Sequence, residues 1–132
     1  MPPQRSRHRE CVASGAIARG PLISALSCSL VGKSETVSIA RRSLAHRAYE
    51  RNSATEQFLC NYGLNPNYRT RIATAGLAIT GSNREGETRI AERTDHPFFI
   101  GTLFLPQFSS TPESPHPLIV AFVGAAAHFQ QA

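Results

Sequence analysis

The 132-residue chain has no tryptophan, one methionine and three cysteines, Cys11, Cys28 and Cys60. An odd number of cysteines without a Cys-x-x-Cys pair excludes a disulfide framework and is read as free thiols in a reducing, cytoplasmic setting. The five histidines never join the cysteines at zinc-ligand spacing, so neither a metal nor another cofactor is expected. No apolar run approaches the roughly 18 residues that a membrane-crossing helix needs. Acid is also scarce, with 9 Asp and Glu against 14 Lys and Arg, for a net charge of +5. No internal repeat is present, and at 41% hydrophobic the chain is one domain with enough apolar residues for a core.

The positive charge is placed unevenly. Arg5, Arg7, Arg9 and Arg19 face a single acid, Glu10, in the first twenty residues. Residues 1–20 are read as a disordered basic leader, with a targeting segment and a binding arm as alternatives. The leader has no interleaved aromatics and no apolar helical face, so neither a nucleic-acid nor a membrane partner is expected.

Beyond the leader, small polar and apolar residues alternate over Ala25–Val31 and again over Thr36–Ile39, a strand–turn–strand pattern. Gly32-Lys33-Ser34 between them looks like the end of a phosphate-binding loop. Position 27 is serine where that loop needs glycine, and no apolar strand leads into it, so the reading fails. Arg41–Arg51 is compatible with a helix, and Glu56–Leu64 with a strand. Asn65 suits a helix N-cap, Pro66 the first turn and Gly76 the residue after the end, with Tyr68, Ile72 and Ala75 at helical spacing. Leu77–Thr80 and Thr88–Glu92, joined by Asn83-Arg84-Glu85-Gly86, predict a hairpin with a charged tip. Phe98–Phe104 is a continuous apolar run, read as a strand buried on both faces as in a parallel sheet. After a Pro- and Ser-rich loop, Leu118, Phe122, Ala126 and Phe129, widened by Ile119 and Val123, predict a closing helix whose stripe packs on the core.

The segment from Asp95 to Phe108 carries the strongest signal. Leu103-Phe104-Leu105-Pro106-Gln107-Phe108 resembles the last strand of class I glutamine amidotransferases, most closely the glutaminase domain of CTP synthase, where a Phe-His-Pro-Glu-Phe motif completes a Cys-His-Glu triad. His96-Pro97-Phe98-Phe99, Ser110-Thr111-Pro112, His116-Pro117-Leu118 and Phe122-Val123 keep the order and spacing of that family's C-terminus. Asn61-Tyr62-Gly63-Leu64-Asn65 is similar to its Arg-Tyr-Glu-Val-Asn, followed by Ala75-Gly76-Leu77 and Thr80-Gly81-Ser82. Together with Cys60 and Pro66, these blocks are most similar to short stand-alone CTP synthase-like proteins that lack the synthetase half.

The resemblance implies an α/β fold over residues 21–132: the C-terminal part of a flavodoxin-like, layered amidotransferase domain with an antiparallel ribbon and a closing helix. It implies L-glutamine as the family substrate and pyrimidine nucleotide synthesis as the family role. It also shows what has been lost. Leu105 stands where the family has its base, and Gln107 where it has the acid that orients the base. Asn61 replaces an arginine that helps hold substrate, and no Gly-x-Cys-x-Gly elbow is present. The chain is therefore expected to begin after the nucleophile and to be catalytically silent. The alternatives are a regulatory or interaction module that uses the degenerate pocket, and an enzyme of altered chemistry with Cys60 as its reactive group. Cys60, Asn61 and Tyr62 are the candidate substrate-facing residues. A structural thiol is the plainer reading of Cys60, loop-structural roles that of His96 and His116, a strand-end cap that of Gln107, and Glu56 and Asp95 have no evident partner. A sheet that lacks its N-terminal part would leave a face uncovered, to be closed by self-association or by a protein partner.

Overall fold

The computed structural model describes residues 20–131, the side chain of Gln131 excepted. The basic leader expected over residues 1–20 thus falls, apart from Gly20, outside the described residues.

Two antiparallel sheets carry the fold. The larger has five strands in the order β3-β2-β5-β6-β7, with β2 at Lys33–Ile39, β3 at Ser53–Phe58, β5 at Leu77–Ser82, β6 at Thr88–Arg93 and β7 at Ile100–Thr102. The smaller pairs β1, Ile23–Ala25, with β4, Tyr62–Leu64. The first strand therefore joins β4 and not its sequence neighbour β2, so the expected strand–turn–strand unit does not form. The expected Glu56–Leu64 strand is divided between the two sheets.

Alternation explains β2 and β3. Val37 and Ile39 of β2 turn inward, as do Glu56 and Phe58 of β3, and the intervening residues face out or lie half-buried. Between these strands the chain makes a short helix, α1, Leu44–Tyr49. Ser43 caps it by accepting a hydrogen bond from the His46 amide, and Glu50 ends it in a left-handed conformation. Asn65 caps the next helical segment as predicted: its side chain accepts from the Asn67 amide. That segment is a 3₁₀ turn, Pro66–Tyr68, that runs into α2, Arg69–Thr74, and stops at Gly76 with φ of 103°. The hairpin β5–β6 also forms as predicted, with Ile90 inside at 1% exposure. Gly81 is obligatory there, since a Cβ would come within 2.5 Å of the Ile90 side chain. The tip residues Arg84 and Glu85 are exposed, but β6 beside them carries a buried charge. Arg89 is buried, bound to Glu35 at 2.6 Å and Glu87 at 3.2 Å, with its guanidinium over the Phe58 ring.

The core unites Leu30, Val37, Ile39, Ala45, Phe58, Ile90, Phe104 and Leu118. Phe58 and Phe104 meet edge to face at its centre, with ring centroids 5.7 Å apart.

Two expectations are corrected. The apolar run Phe98–Phe104 is not a parallel strand buried on both faces. Only Ile100–Thr102 is strand, pairing antiparallel with β6 at the sheet edge, and Phe99 is exposed. The run divides its side chains: Phe98 packs on Phe122, Phe99 lies against His96, and Phe104 enters the core. Run length measures apolar content and not the direction of pairing. The closing helix α3, Pro117–Gln131, forms as predicted, but its stripe is not core. Leu118 is buried, whereas Phe122, Val123 and Phe129 are 57%, 58% and 72% exposed.

Candidate amidotransferase site

β4 and the end of β7 bring together the two segments that carry the resemblance. The Cys60 thiol, just before β4, donates to the Leu103 carbonyl at 3.2 Å, two residues before Leu105. Gly63 lies so close to this junction that a Cβ there would sit 2.7 Å from the Leu26 side chain and 3.4 Å from that of Leu103. The glutamate that the family motif carries at this position has no room. Asn61 holds the loop that follows β1: its carbonyl accepts from the Leu26 amide at 2.8 Å, and its side chain accepts from the Ser29 hydroxyl. Tyr62 is exposed on β4.

Leu105 precedes a 3₁₀ turn, Pro106–Phe108, on which Gln107 is exposed. No hydrogen bond caps the turn through a side chain, and the Gln107 amide has no partner among the described residues, which corrects its reading as a strand-end cap. No described histidine or carboxylate hydrogen-bonds Cys60. Among the described residues the thiol therefore meets this strand end with no hydrogen-bonded histidine or carboxylate. Cys60 is a free thiol, as expected; Cys28 is disulfide-bonded, which corrects the free-thiol reading there.

The paired titratable groups lie elsewhere, and it is their pairing that was missed from sequence. Glu56 has a partner after all: it accepts at one carboxylate oxygen from His116 Nε2 at 2.7 Å and from the Tyr49 hydroxyl at 2.5 Å. His116 Nδ1 accepts the Leu118 amide at 3.1 Å, which places the ring proton on Nε2. His116 is thus an interior strut and not only a loop residue. Tyr49 and His116 are two donors on one acceptor, and their 3.3 Å separation follows from that sharing. Burial first, then the hydrogen bond and charge of Glu56, push the Tyr49 phenol far above its ordinary range. Glu56 and His116 are nearly sealed from solvent, so this cluster ties α1, β3 and α3 together and offers no surface to a substrate.

Glu92 on β6 does similar work. It accepts from the Leu44 amide at 2.7 Å, the Ala45 amide at 3.1 Å and the Thr80 hydroxyl at 2.6 Å, fixing the first turn of α1 to the sheet. Asp95, likewise without an evident partner in sequence, binds Arg93 through both carboxylate oxygens. Among the described residues no three His, Cys, Asp or Glu side chains are grouped so as to hold a metal ion, and no helix is long and apolar enough to cross a membrane.

No protein-family model matches the chain. CTP synthases are among the proteins similar to it in sequence. That of Geotalea uraniireducens is 40% identical over 91 residues, which is 68% of this chain and 17% of the relative. That of Mycolicibacterium gilvum is 38% identical over 96 residues, 69% of this chain and 16% of the relative. The chain is related to the glutaminase domain of CTP synthase. The structural comparison assigns the domain: the Trypanosoma brucei CTP synthase glutaminase domain, solved with bound acivicin, matches with a TM-score of 0.69 at 28% identity. The match takes in 76% of this chain and 40% of that one. A GMP synthase-type protein from Thermoplasma acidophilum shares the fold, with a TM-score of 0.62 at 13% identity. The chain spans less than a fifth of the length of the CTP synthases it matches. The α/β class, the closing helix and the amidotransferase likeness expected from sequence are present, but the sheet is antiparallel.

Proposed function

We propose that this chain is a CTP synthase-like amidotransferase domain without glutaminase activity. The observation that carries the reading is the strand end itself. Leu105 and Gln107 occupy the turn after β7, and neither side chain can accept a proton or orient a base. A cysteine nucleophile depends on a neighbouring histidine for activation, and losing the base alone costs orders of magnitude in rate. The Glu56–His116 pair does not substitute, because it is turned into the core and satisfied there. The family substrate, L-glutamine, the family setting of pyrimidine nucleotide synthesis and a cytoplasmic location come with this reading.

The test is release of glutamate or ammonia from L-glutamine by the purified chain. A rate at background is expected. A rate proportional to protein that vanished on Cys60→Ser would overturn the reading and make Cys60 a relocated nucleophile.

A second reading, a non-enzymatic regulatory or interaction module, is favoured by the open apolar face of α3. Phe98, Ile100, Pro106, Ile119 and Phe122 line a groove of about 220 Å³ beside that face. Self-association or a protein partner would cover it.

A further inference from the structure

A second cleft, of about 300 Å³, opens where the β2–α1 loop meets the end of β6. Arg41 and Arg42 from the loop, Arg47 from α1 and His96 line it. None of the three arginines has a carboxylate within ion-pair distance among the described residues. Arg93, also on the wall, is neutralised by Asp95. The remaining acid, Glu92, is buried, and its oxygens are taken by Leu44, Ala45 and Thr80. The amides of the α1 first turn are occupied by Glu92 and Ser43, so they offer nothing to a ligand. The side chains alone make the cleft cationic.

We propose that this cleft binds a small phosphate-bearing anion, free phosphate or a phosphate monoester. Three exposed arginines without a carboxylate partner line this one concavity, and a dianion bound there would gain charge-assisted hydrogen bonds from them. His96 supplies a further donor. Its Nδ1 accepts the Phe98 amide at 3.2 Å, which leaves the ring proton on Nε2. The cleft is half open, with about 300 Å³ of space, room enough for a phosphate or a small monoester. Apart from the His96 ring the lining has no aromatic side chain, so the stacking platform that single-stranded nucleic acid uses is missing.

The test is calorimetric titration of the full chain with inorganic phosphate and with glycerol 2-phosphate, at ionic strength held constant with sodium chloride. Saturable binding is expected for at least one of the two. Arg42→Gly, which suits the left-handed φ of 63° at that position, and Arg47→Gln should each weaken it by about tenfold. Arg84→Gln, an equal charge change at the exposed hairpin tip, should leave it unchanged. Tighter binding of the monoester would identify an organic phosphate as the ligand, and equal binding free phosphate. Absence of saturable binding, or the same loss in Arg84→Gln, would overturn the proposal. Unaltered thermal melting of the variants separates lost contacts from lost fold.

Discussion

Glu92 fastens α1 and β5 to β6. Three donors, from α1 and from β5, converge on a carboxylate that is 4% exposed. Glu92→Ala leaves those donors without an acceptor inside the protein, and hydrogen bonds to a buried charge are the expensive ones to lose. A loss of about 3 kcal/mol is expected in urea unfolding at neutral pH. Glu92→Gln keeps one acceptor and should lose less. Tyr49 sets a limit at the other end of the pH scale. Its folded-state pKa is raised above the unfolded value of about 10. The phenol's contribution is therefore complete below pH 10 and falls away as the pH rises beyond it. Stability measured from pH 9 upward should decline above pH 10, and Tyr49→Phe should remove part of the decline. The same variant should be less stable at pH 7 by about 1 kcal/mol, for the lost bond to Glu56.

At the scale of elements, the legible parts were local. Asn65 with Pro66 and Gly76 bracket a helical segment through contacts within a dozen residues. The β5–β6 hairpin is set by its own turn. What was not legible joined distant positions: Glu56 finds His116 sixty residues on, and Glu92 finds Leu44 forty-eight residues back. A lone carboxylate in a sequence does not disclose which far donor the fold will bring to it. The turn that holds Leu105 and Gln107 was legible because it lies within one short segment, whereas the cationic cleft needs two separate segments to meet. The α3 stripe failed for another reason, since helical periodicity shows that a face is apolar but not that anything covers it. The two ends of α3 should therefore respond differently to mutation. Leu118→Ala, in the core, is expected to cost about 3 kcal/mol, and Val123→Lys, on the open face, less than about 0.5 kcal/mol, both read by thermal denaturation.

On the scale of the whole molecule, an open apolar face affects behaviour in solution more than stability. Phe122, Val123 and Phe129 leave apolar side chains exposed along one helix, and exposed apolar surface of this kind drives association. Light scattering after size exclusion should show a mass that rises with protein concentration, and Phe122→Lys with Val123→Lys should hold the chain at the monomer mass. The antiparallel topology also bears on how the chain acquires its shape. The β5–β6 pair closes over a short turn, and β2–β3 closes over α1, so each ribbon can form early. Joining them requires β2 to find β5 some forty residues later, across the seam that Glu92 also spans. Closing so long a loop loses chain entropy before any contact repays it. The seam, rather than either ribbon, is then the expected slow step of folding, and loss of the carboxylate that fastens it should slow folding more than it speeds unfolding.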